Sequence, residues 1–145
     1  MADEKPNLRL IRIYLKDASF ESPSVPDVFK IKAEPAIDLA IRVAVRSISP
    51  NHYEVVLTGS VTARAEGVTM FLCEAQQAGL FMVHGYEGED LDRRLNVFCP
   101  KQLFPFLREV LASLTMKGGF PPVQIALVDF DEMYRSREQQ PAGQA

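Results

Sequence analysis

The feature that most constrains the fold is a regular alternation of apolar and polar residues between positions 37 and 64. The apolar members of the first run are Ile37, Leu39, Ile41, Val43 and Val45. After a turn at Ser49-Pro50-Asn51, those of the second run are Tyr53, Val55, Leu57, Val61 and Ala63. A period of two residues is typical of a strand with one buried face. With a further turn at Glu66-Gly67 and a third run over 68–83, the pattern predicts an antiparallel meander of three strands.

Two segments of different character precede the meander. Residues 8–20 carry apolar side chains on both faces, which predicts a first strand that is buried on both sides. Residues 21–35 contain Pro23, Pro26 and Pro35, and proline removes amide donors and fixes φ. We therefore expect this segment to form an irregular crossover between the first strand and the meander.

The C-terminal part of the chain shows helical spacing. Residues 89–95 begin with acidic side chains and predict a short helix, and Pro100 is typical of a first helical position. An apolar stripe then predicts a long helix that ends at Gly118-Gly119; its members are Leu103, Leu107, Val110, Leu111 and Leu114. Phe130, Met133 and Tyr134 predict a short final helix, on which they would form either a core face or a binding surface.

Together these elements predict an α+β fold. A four-stranded antiparallel sheet would carry the long helix and the short C-terminal helix on one face, with the Pro-rich crossover after the first strand. One domain is expected over 1–145, with disorder at 1–7 and from about 138 to 145. The chain has 9 phenylalanines, more than so small an interior needs, which favours an oligomer or an apolar ligand groove.

Composition argues against several classes of function. Lys+Arg number 16 and Asp+Glu 19, and the net charge of −3 disfavours a nucleic-acid partner. The chain has 2 histidines and 2 cysteines at no ligand spacing, so no metal site of the usual zinc type is predicted. The chain begins without an apolar signal segment and contains no apolar run long enough for a membrane span. A cytoplasmic protein with reduced thiols is therefore expected.

Two positions raise the question of catalysis. Cys99 precedes Pro100 at a predicted helix start, where the macrodipole would lower the thiol pKa, and His84 lies near Glu87 in a Gly-rich loop. The local sequence supplies no base for Cys99, and the loop spacing does not show whether His84 and Glu87 converge on a substrate. The chain contains neither a GK[ST] nor a G-x-S-x-G sequence. We interpret Cys99 as a structural cysteine and the loop of His84 as a turn between strand and helix. We predict no catalytic residue, metal or cofactor. An enzyme that uses Cys99 or His84 stays open as an alternative.

Several segments, in order along the chain, resemble the bacterial protein-export chaperone family SecB. They are IYLKDASFESP at 13–23, YEVVL at 53–57, VTA at 61–63, FLCEAQQAGLF at 71–81, CPKQLFPFLRE at 99–109, GGFPP at 118–122 and DFDEMY at 129–134. The resemblance implies a homotetramer, a dimer of dimers, that binds unfolded precursor proteins without nucleotide. Such a chaperone keeps its clients competent for translocation and delivers them to the motor ATPase SecA. The resemblance implies that the chaperone contacts the membrane only indirectly, through SecA.

The resemblance leaves two other roles open. One is a SecB-like chaperone of a toxin–antitoxin system, and the other is a non-catalytic adaptor that binds one folded partner. The number of different unfolded chains that the protein binds would separate these roles from general export.

The resemblance also assigns residues to three surfaces. It implies that SecA docks its zinc-binding C-terminal tail on Asp17, Glu21, Leu72 and Glu74. It implies subunit contacts through the long helix and through Cys73, Ala75 and Gln77. An apolar client groove between the crossover, the long helix and the final helix would be lined by Phe29, Phe104, Phe130, Met133 and Tyr134. The two-residue period supports one part of this, because it places Leu72 and Glu74 on one face of a strand and Cys73 on the other.

Overall fold

Four long antiparallel strands dominate the computed structural model, which describes residues 5–138 except for the side chain of Glu138. They are β1 (Asn7–Glu21), β2 (Ala36–Ser49), β3 (His52–Ala65) and β4 (Val68–His84), in the spatial order β1-β4-β3-β2. The crossover from β1 to β2 contains one 3₁₀ turn, Asp27–Lys30. This confirms the predicted meander, the crossover and the four-stranded sheet. The disorder predicted for 1–4 and 139–145 lies outside the described residues, and β1 already begins at Asn7.

Local turn chemistry explains how the strands are joined. β3 and β4 meet at Glu66 and Gly67, both with positive φ (52° and 75°), as a tight hairpin with right-handed twist requires. β1 lies at one edge of the sheet and none of its residues is buried, so the predicted burial on both sides was wrong. It pairs with β4 through two register shifts, between Leu10 and Arg12 and between Leu15 and Asp17. An extra residue on one strand bends and twists that strand, and such bulges are common at sheet edges.

The helical part is more continuous than the sequence predicts. Helix α1 (Gly88–Arg93), a π-helical turn (Arg94–Phe98) and helix α2 (Cys99–Lys117) follow one another without a break. The prediction of two separate helices was therefore wrong. A proline inside a helix removes one backbone hydrogen bond and crowds the preceding turn. The wider π turn directly before Pro100 accommodates that change, so the chain stays helical.

Helix α2 covers one face of the sheet. Its stripe residues Leu103, Leu107 and Leu111 are fully buried. The residues of β3 beneath them are fully buried as well: Val55, Leu57, Val61 and Ala63. The approach is close at two glycines: a Cβ built on Gly59 would lie 3.0 Å from Leu107, and one on Gly79 would lie 3.0 Å from Leu103. The helix ends as predicted, with Gly118 after Lys117 and Gly119 at a φ of +90°.

The edge strand β2 departs from its predicted burial. Ile41, Val43 and Val45 are only half-buried, while Ile37 and Leu39 are exposed. The alternation correctly predicts the strand and its face, but β2 lies at the sheet edge, beyond β3 and β4, on which α2 packs. Apolar surface therefore remains open there.

The final helix α3 (Phe130–Glu138) is held by aromatic packing and by polar contacts. The rings of Phe130 and Phe104 meet edge to face with centroids 6.0 Å apart. Asp131 pairs with Arg93 and with Lys101, and the Tyr134 hydroxyl donates a hydrogen bond to Asp92 at 2.7 Å. Within the described range, the structure contains no helix long and apolar enough to cross a membrane.

Candidate functional site

The face of the sheet opposite α2 carries a cluster of acidic side chains at one end. Glu21 lies directly opposite Leu72 in the register of β1 and β4, and Asp17 lies opposite Gln76. Directly opposed residues share a face of the sheet, and so do alternate residues along β4. This open face therefore carries all four side chains: Asp17, Glu21, Leu72 and Glu74. The structure thus brings together the four residues assigned to SecA. We call them, with Asp38, the acidic end of the sheet.

The acidic end is a shallow site with a partly apolar floor. Leu72 and Glu74 line a hollow of about 350 Å³ together with Glu21 and with Ser60 and Thr62 of β3. The Ser60 hydroxyl donates a hydrogen bond of 2.6 Å to Glu74, which orients that carboxylate. The hollow combines carboxylates with the exposed Leu72 side chain and is therefore suited to a basic segment that also has an apolar residue.

Sequence reasoning missed Asp38 as a member of this cluster. Asp38 of β2 lies opposite Thr62 of β3, which in turn lies opposite Leu72. The alternation already placed Asp38 on the polar face of its strand. Only the pairing register, however, places it at the same end of the sheet as Glu21 and Leu72.

An apolar groove lies on the other face, between the start of β2 and the connection from α2 to α3. We call it the linker groove; its volume is about 650 Å³. Its walls are Ile31, Ala33, Glu34, Pro35, Ile37, Leu39, Met70, Phe71 and residues 120–126. Phe29 stands beside the groove, half-exposed, with its ring centroid 5.3 Å from that of Phe120. The groove offers a second chain an apolar strip beside a stiff Phe120-Pro121-Pro122 segment.

The five residues assigned to client binding do not line one groove. Phe104, Phe130 and Tyr134 are buried in the core, so for Phe130 and Tyr134 the structure supports the alternative of a core face. Met133 is half-buried and lines a separate hollow of about 480 Å³ that also contains Ile41 and Arg137. Phe29 alone stands at the linker groove. The reason is that α3 packs on the helical segment: the Phe130 ring meets Phe104 of α2, and the Tyr134 hydroxyl donates a hydrogen bond to Asp92 of α1.

The subunit-contact residues are also interior in the single chain. Cys73, Ala75 and Gln77 are buried on the face that α2 covers, and the Gln77 amide donates a hydrogen bond of 3.0 Å to the Tyr14 carbonyl oxygen. Their role in subunit contacts stays a prediction. Large apolar side chains are exposed elsewhere, on the edge strand and along the helical segment, at Ile11, Leu15, Phe98, Phe106 and Met116.

The environment of Cys99 favours the structural cysteine over the activated thiol that stayed open as an alternative. The side chain is fully buried, and burial raises its pKa to about 12. The helix also continues through the π turn before it, so Cys99 does not stand at a free helix N-terminus. Cys73 is likewise buried, with its pKa raised to about 11. Burial therefore favours the protonated form of both thiols and argues against a cysteine nucleophile.

Comparison with known proteins identifies the family. Residues 1–141 match the family model SecB, described as a preprotein translocase subunit. The protein-export protein SecB of Chromobacterium violaceum is 42% identical over 138 residues, which cover 95% of this chain and 92% of that one. The protein-export protein SecB of Nitrosococcus oceani is 46% identical over 131 residues, covering 89% of this chain and 80% of that protein.

The fold also has a counterpart among solved structures. A SecB-like chaperone of Mycobacterium tuberculosis, in complex with a peptide from an antitoxin, aligns with a TM-score of 0.69. The alignment covers 83% of this chain and 90% of that chain at 17% identity, so it bears on the fold alone. The family match extends over nearly the whole sequence, and the alignment with the Chromobacterium violaceum protein covers more than nine tenths of both chains. This chain therefore belongs to the SecB family.

Proposed function

We propose that this chain is a protein-export chaperone that binds unfolded precursor proteins in the cytoplasm, keeps them translocation-competent and delivers them to SecA. The observation that carries the proposal is the SecB family match over residues 1–141. The protein works as a homotetramer, a dimer of dimers, without ATP, cofactor or catalytic step. An open apolar groove and protonated, buried thiols are consistent with a binding protein.

Client binding is assigned to the linker groove, with Phe29 at its edge. Each Leu- or Phe-like client side chain buried there would contribute about 1.5–3 kcal/mol. The cost of ordering a disordered client opposes this gain. Several weak contacts on one tetramer would act together through effective concentration. Apolar contacts do not select a particular sequence, so we expect the groove to bind a broad range of clients.

A matched pair of variants on β2 tests the client groove. Ile37 lines the groove and is 45% exposed, whereas Ile48 lies on the same strand, outside the groove, and is 48% exposed. We expect Ile37→Asp to weaken the binding of a labelled, reduced precursor by about ten-fold or more, because one buried apolar contact becomes a charge. Ile48→Asp should bind as the wild type does. Fluorescence anisotropy measures both affinities, and equal effects of the two substitutions would contradict the assignment.

SecA binding is assigned to the acidic end of the sheet. A basic, zinc-binding tail would be steered to Asp17, Glu21 and Glu74 and would meet Leu72 as an apolar contact. Because these carboxylates are not buried, salt should weaken the interaction. The acidic end and the linker groove lie on opposite faces of the sheet, which would let one subunit hold a client and SecA together.

Charge reversal tests the acidic end. We expect Asp17→Lys, Glu21→Lys and Glu74→Lys together to abolish binding of the zinc-loaded SecA tail peptide and to leave the precursor affinity unchanged. Reversal of Glu89, an exposed acid on α1, is the control and should have little effect. Isothermal titration at low and physiological salt measures the peptide affinity. An equal loss of peptide and precursor binding would show that the two surfaces are not separate.

A second candidate function is that of a chaperone in a toxin–antitoxin system. One observation favours it: the SecB-like protein with a similar fold carries an antitoxin peptide. Competition among several unrelated unfolded proteins and one antitoxin segment separates the two functions. Comparable binding of all the unfolded chains supports export, whereas preference for the antitoxin segment supports the second function. Binding of a single folded partner alone would instead indicate an adaptor.

A further inference from the structure

A buried carboxylate lies on the open face of the sheet, away from the acidic end. Glu54 of β3 stands opposite Leu80 of β4 on one side and opposite Arg46 of β2 on the other. Its Oε1 atom accepts a hydrogen bond of 2.8 Å from Lys16 of β1 and one of 3.2 Å from Arg46. One carboxylate thus holds a cation from each of the two edge strands, β1 and β2.

Lys16 directly precedes Asp17, a member of the acidic end. The register shift between Leu15 and Asp17 leaves Lys16 as the extra residue of a bulge, without a partner on β4. Its side chain is 42% exposed and ends in a compact charge on a flexible stem. Among the described residues, neither Asp17 nor Glu21 forms an ion pair. A lysine released from Glu54 would therefore find an unpaired carboxylate beside it.

The bond to Glu54 keeps the charge of Lys16 at a distance from the acidic end. Residues that oppose one another across the strands form a row, and Glu54 lies in the row of Leu80, whereas Asp17 lies in the row of Gln76. The two rows are four residues apart along β4, or about 13 Å, and the other acids of the acidic end lie in rows still farther away. Because the Debye length is about 8 Å at physiological ionic strength, the bound ammonium group is largely screened from these acids.

We propose that Glu54 is a positioning residue for the acidic end. By holding Lys16, it prevents this lysine from neutralising Asp17, and it leaves the negative charge of the acidic end to a basic partner. The inference rests on the proposed docking of the basic SecA tail at this end. Glu54 itself would not touch the tail, since it acts through Lys16.

Removal of the two charges in turn tests this role. We expect Glu54→Gln, which releases Lys16, to weaken binding of the zinc-loaded SecA tail peptide about three- to five-fold at physiological salt, the strength of one exposed ion pair. Lys16→Gln added to Glu54→Gln should restore the wild-type affinity. A merely structural role of Glu54 predicts no such rescue, because Lys16→Gln cannot rebuild the lost hydrogen bonds. Isothermal titration measures the affinities.

Control variants separate the position of the charge from the net charge of the chain. Glu109→Gln removes an exposed acid of α2 and should bind as the wild type does. Arg9→Gln, on the same strand and face as Asp17 but toward the other end of the sheet, restores the net charge when added to Glu54→Gln. It should not restore binding. Equal rescue by Arg9→Gln and Lys16→Gln, or wild-type affinity in Glu54→Gln, would overturn the proposal.

Lys16→Gln alone tests the proposal without any change at Glu54, should Glu54→Gln fail to fold. In the wild type Lys16 is already held away from the acidic end, so its removal should leave the affinity almost unchanged. A three-fold or greater gain in affinity would show that Lys16 weakens tail binding in the wild type and would overturn the proposal. Circular dichroism of each variant, taken before the titration, shows whether the fold is retained.

A second probe keeps this inference apart from the proposed function. A short oligolysine peptide requires only the negative charge of the acidic end, and its affinities should follow the same order across the variants. If oligolysine follows that order but the wild type does not bind the SecA tail, the SecA assignment is wrong and the positioning role stands. If the wild type binds neither peptide, both are wrong.

Discussion

At the scale of single residues, the most informative group is a buried carboxylate on the open face of the sheet. Glu54 is 6% exposed and accepts hydrogen bonds from Tyr14 at 2.7 Å, Lys16 at 2.8 Å and Arg46 at 3.2 Å. The hydrogen bond from Lys16 is the main reason that the pKa of Glu54 is lowered, and Tyr14 and Arg46 act in the same direction. The pKa of Tyr14 changes in the opposite direction: burial and the hydrogen bond to Glu54 raise it to about 12.

Glu54→Gln should therefore lower the free energy of unfolding in a pH-dependent way. At neutral pH we expect a loss of about 1–3 kcal/mol, because charge-assisted hydrogen bonds become neutral ones. The folded-state pKa lies below the unfolded one, so the wild-type advantage is complete above the ordinary glutamate pKa of 4.5 and is lost as pH falls through the lowered value. Urea denaturation of the wild type and of Glu54→Gln, from neutral to acidic pH, measures the difference in their free energies of unfolding.

A glutamate without such partners provides the control for this effect. Glu109 is exposed on α2, and Glu109→Gln should change stability little at any pH. A cost of Glu54→Gln that is the same at neutral and acidic pH would contradict the role of its charge.

At the scale of elements, the connection between α2 and α3 depends on one hydroxyl group. Thr115 is fully buried in the last turns of α2, and its hydroxyl donates to the Ala112 carbonyl oxygen at 2.9 Å. The same oxygen accepts a hydrogen bond of 3.0 Å from the backbone N–H of Val123. This contact holds the segment that forms a wall of the linker groove against the helix.

Thr115→Val is expected to loosen this wall. The substitution keeps the shape but leaves the Val123 N–H without its acceptor, which costs about 1–3 kcal/mol. Hydrogen exchange at the Val123 amide should become faster than in the wild type, and thermal unfolding should begin earlier. Thr115→Ser, which keeps the hydroxyl, is the control and should protect the amide. Unchanged exchange in Thr115→Val would contradict the proposed contact.

At the scale of the whole molecule, the isolated chain leaves apolar side chains on several sides. The edge strand β1 exposes Ile11 and Leu15, and α2 exposes Phe106 and Met116. Large exposed apolar patches commonly mark surfaces where other chains bind. The linker groove accounts for one such surface, and subunit contacts in the proposed tetramer would account for others.

The oligomer can be tested through the exposed surface of α2. We expect the wild type to have a mass of four times the 16.2 kDa chain, and Phe106→Asp to give smaller species, because an interface aromatic would become a buried charge. Leu127→Asp, on a connecting segment where the side chain is 80% exposed, should stay tetrameric. Light scattering after gel filtration measures all three masses. A wild-type monomer, or a tetrameric Phe106→Asp variant, would contradict this use of α2.

The sequence by itself determined the elements, because hydrophobic period and turn chemistry are local properties. The alternation over residues 37–64 predicted β2 and β3, and the Leu103–Leu107–Leu111 stripe predicted the face of α2 that is buried. The strand register places Glu21, Leu72 and Glu74 on one face of the sheet, and their assignment to SecA stays a prediction. Local signals misled at Pro100, where a π turn lets the helix continue.

Only the tertiary structure decided which of the apolar residues remain open. A period cannot tell a core face from a binding face, since both need the same side chains. Packing of α3 on α2 buried Phe104, Phe130 and Tyr134, and left Phe29 beside a groove whose wall is residues 120–126. Cys99 is also fully buried, and burial raises its pKa instead of lowering it as its sequence position predicts, because desolvation depends on tertiary packing.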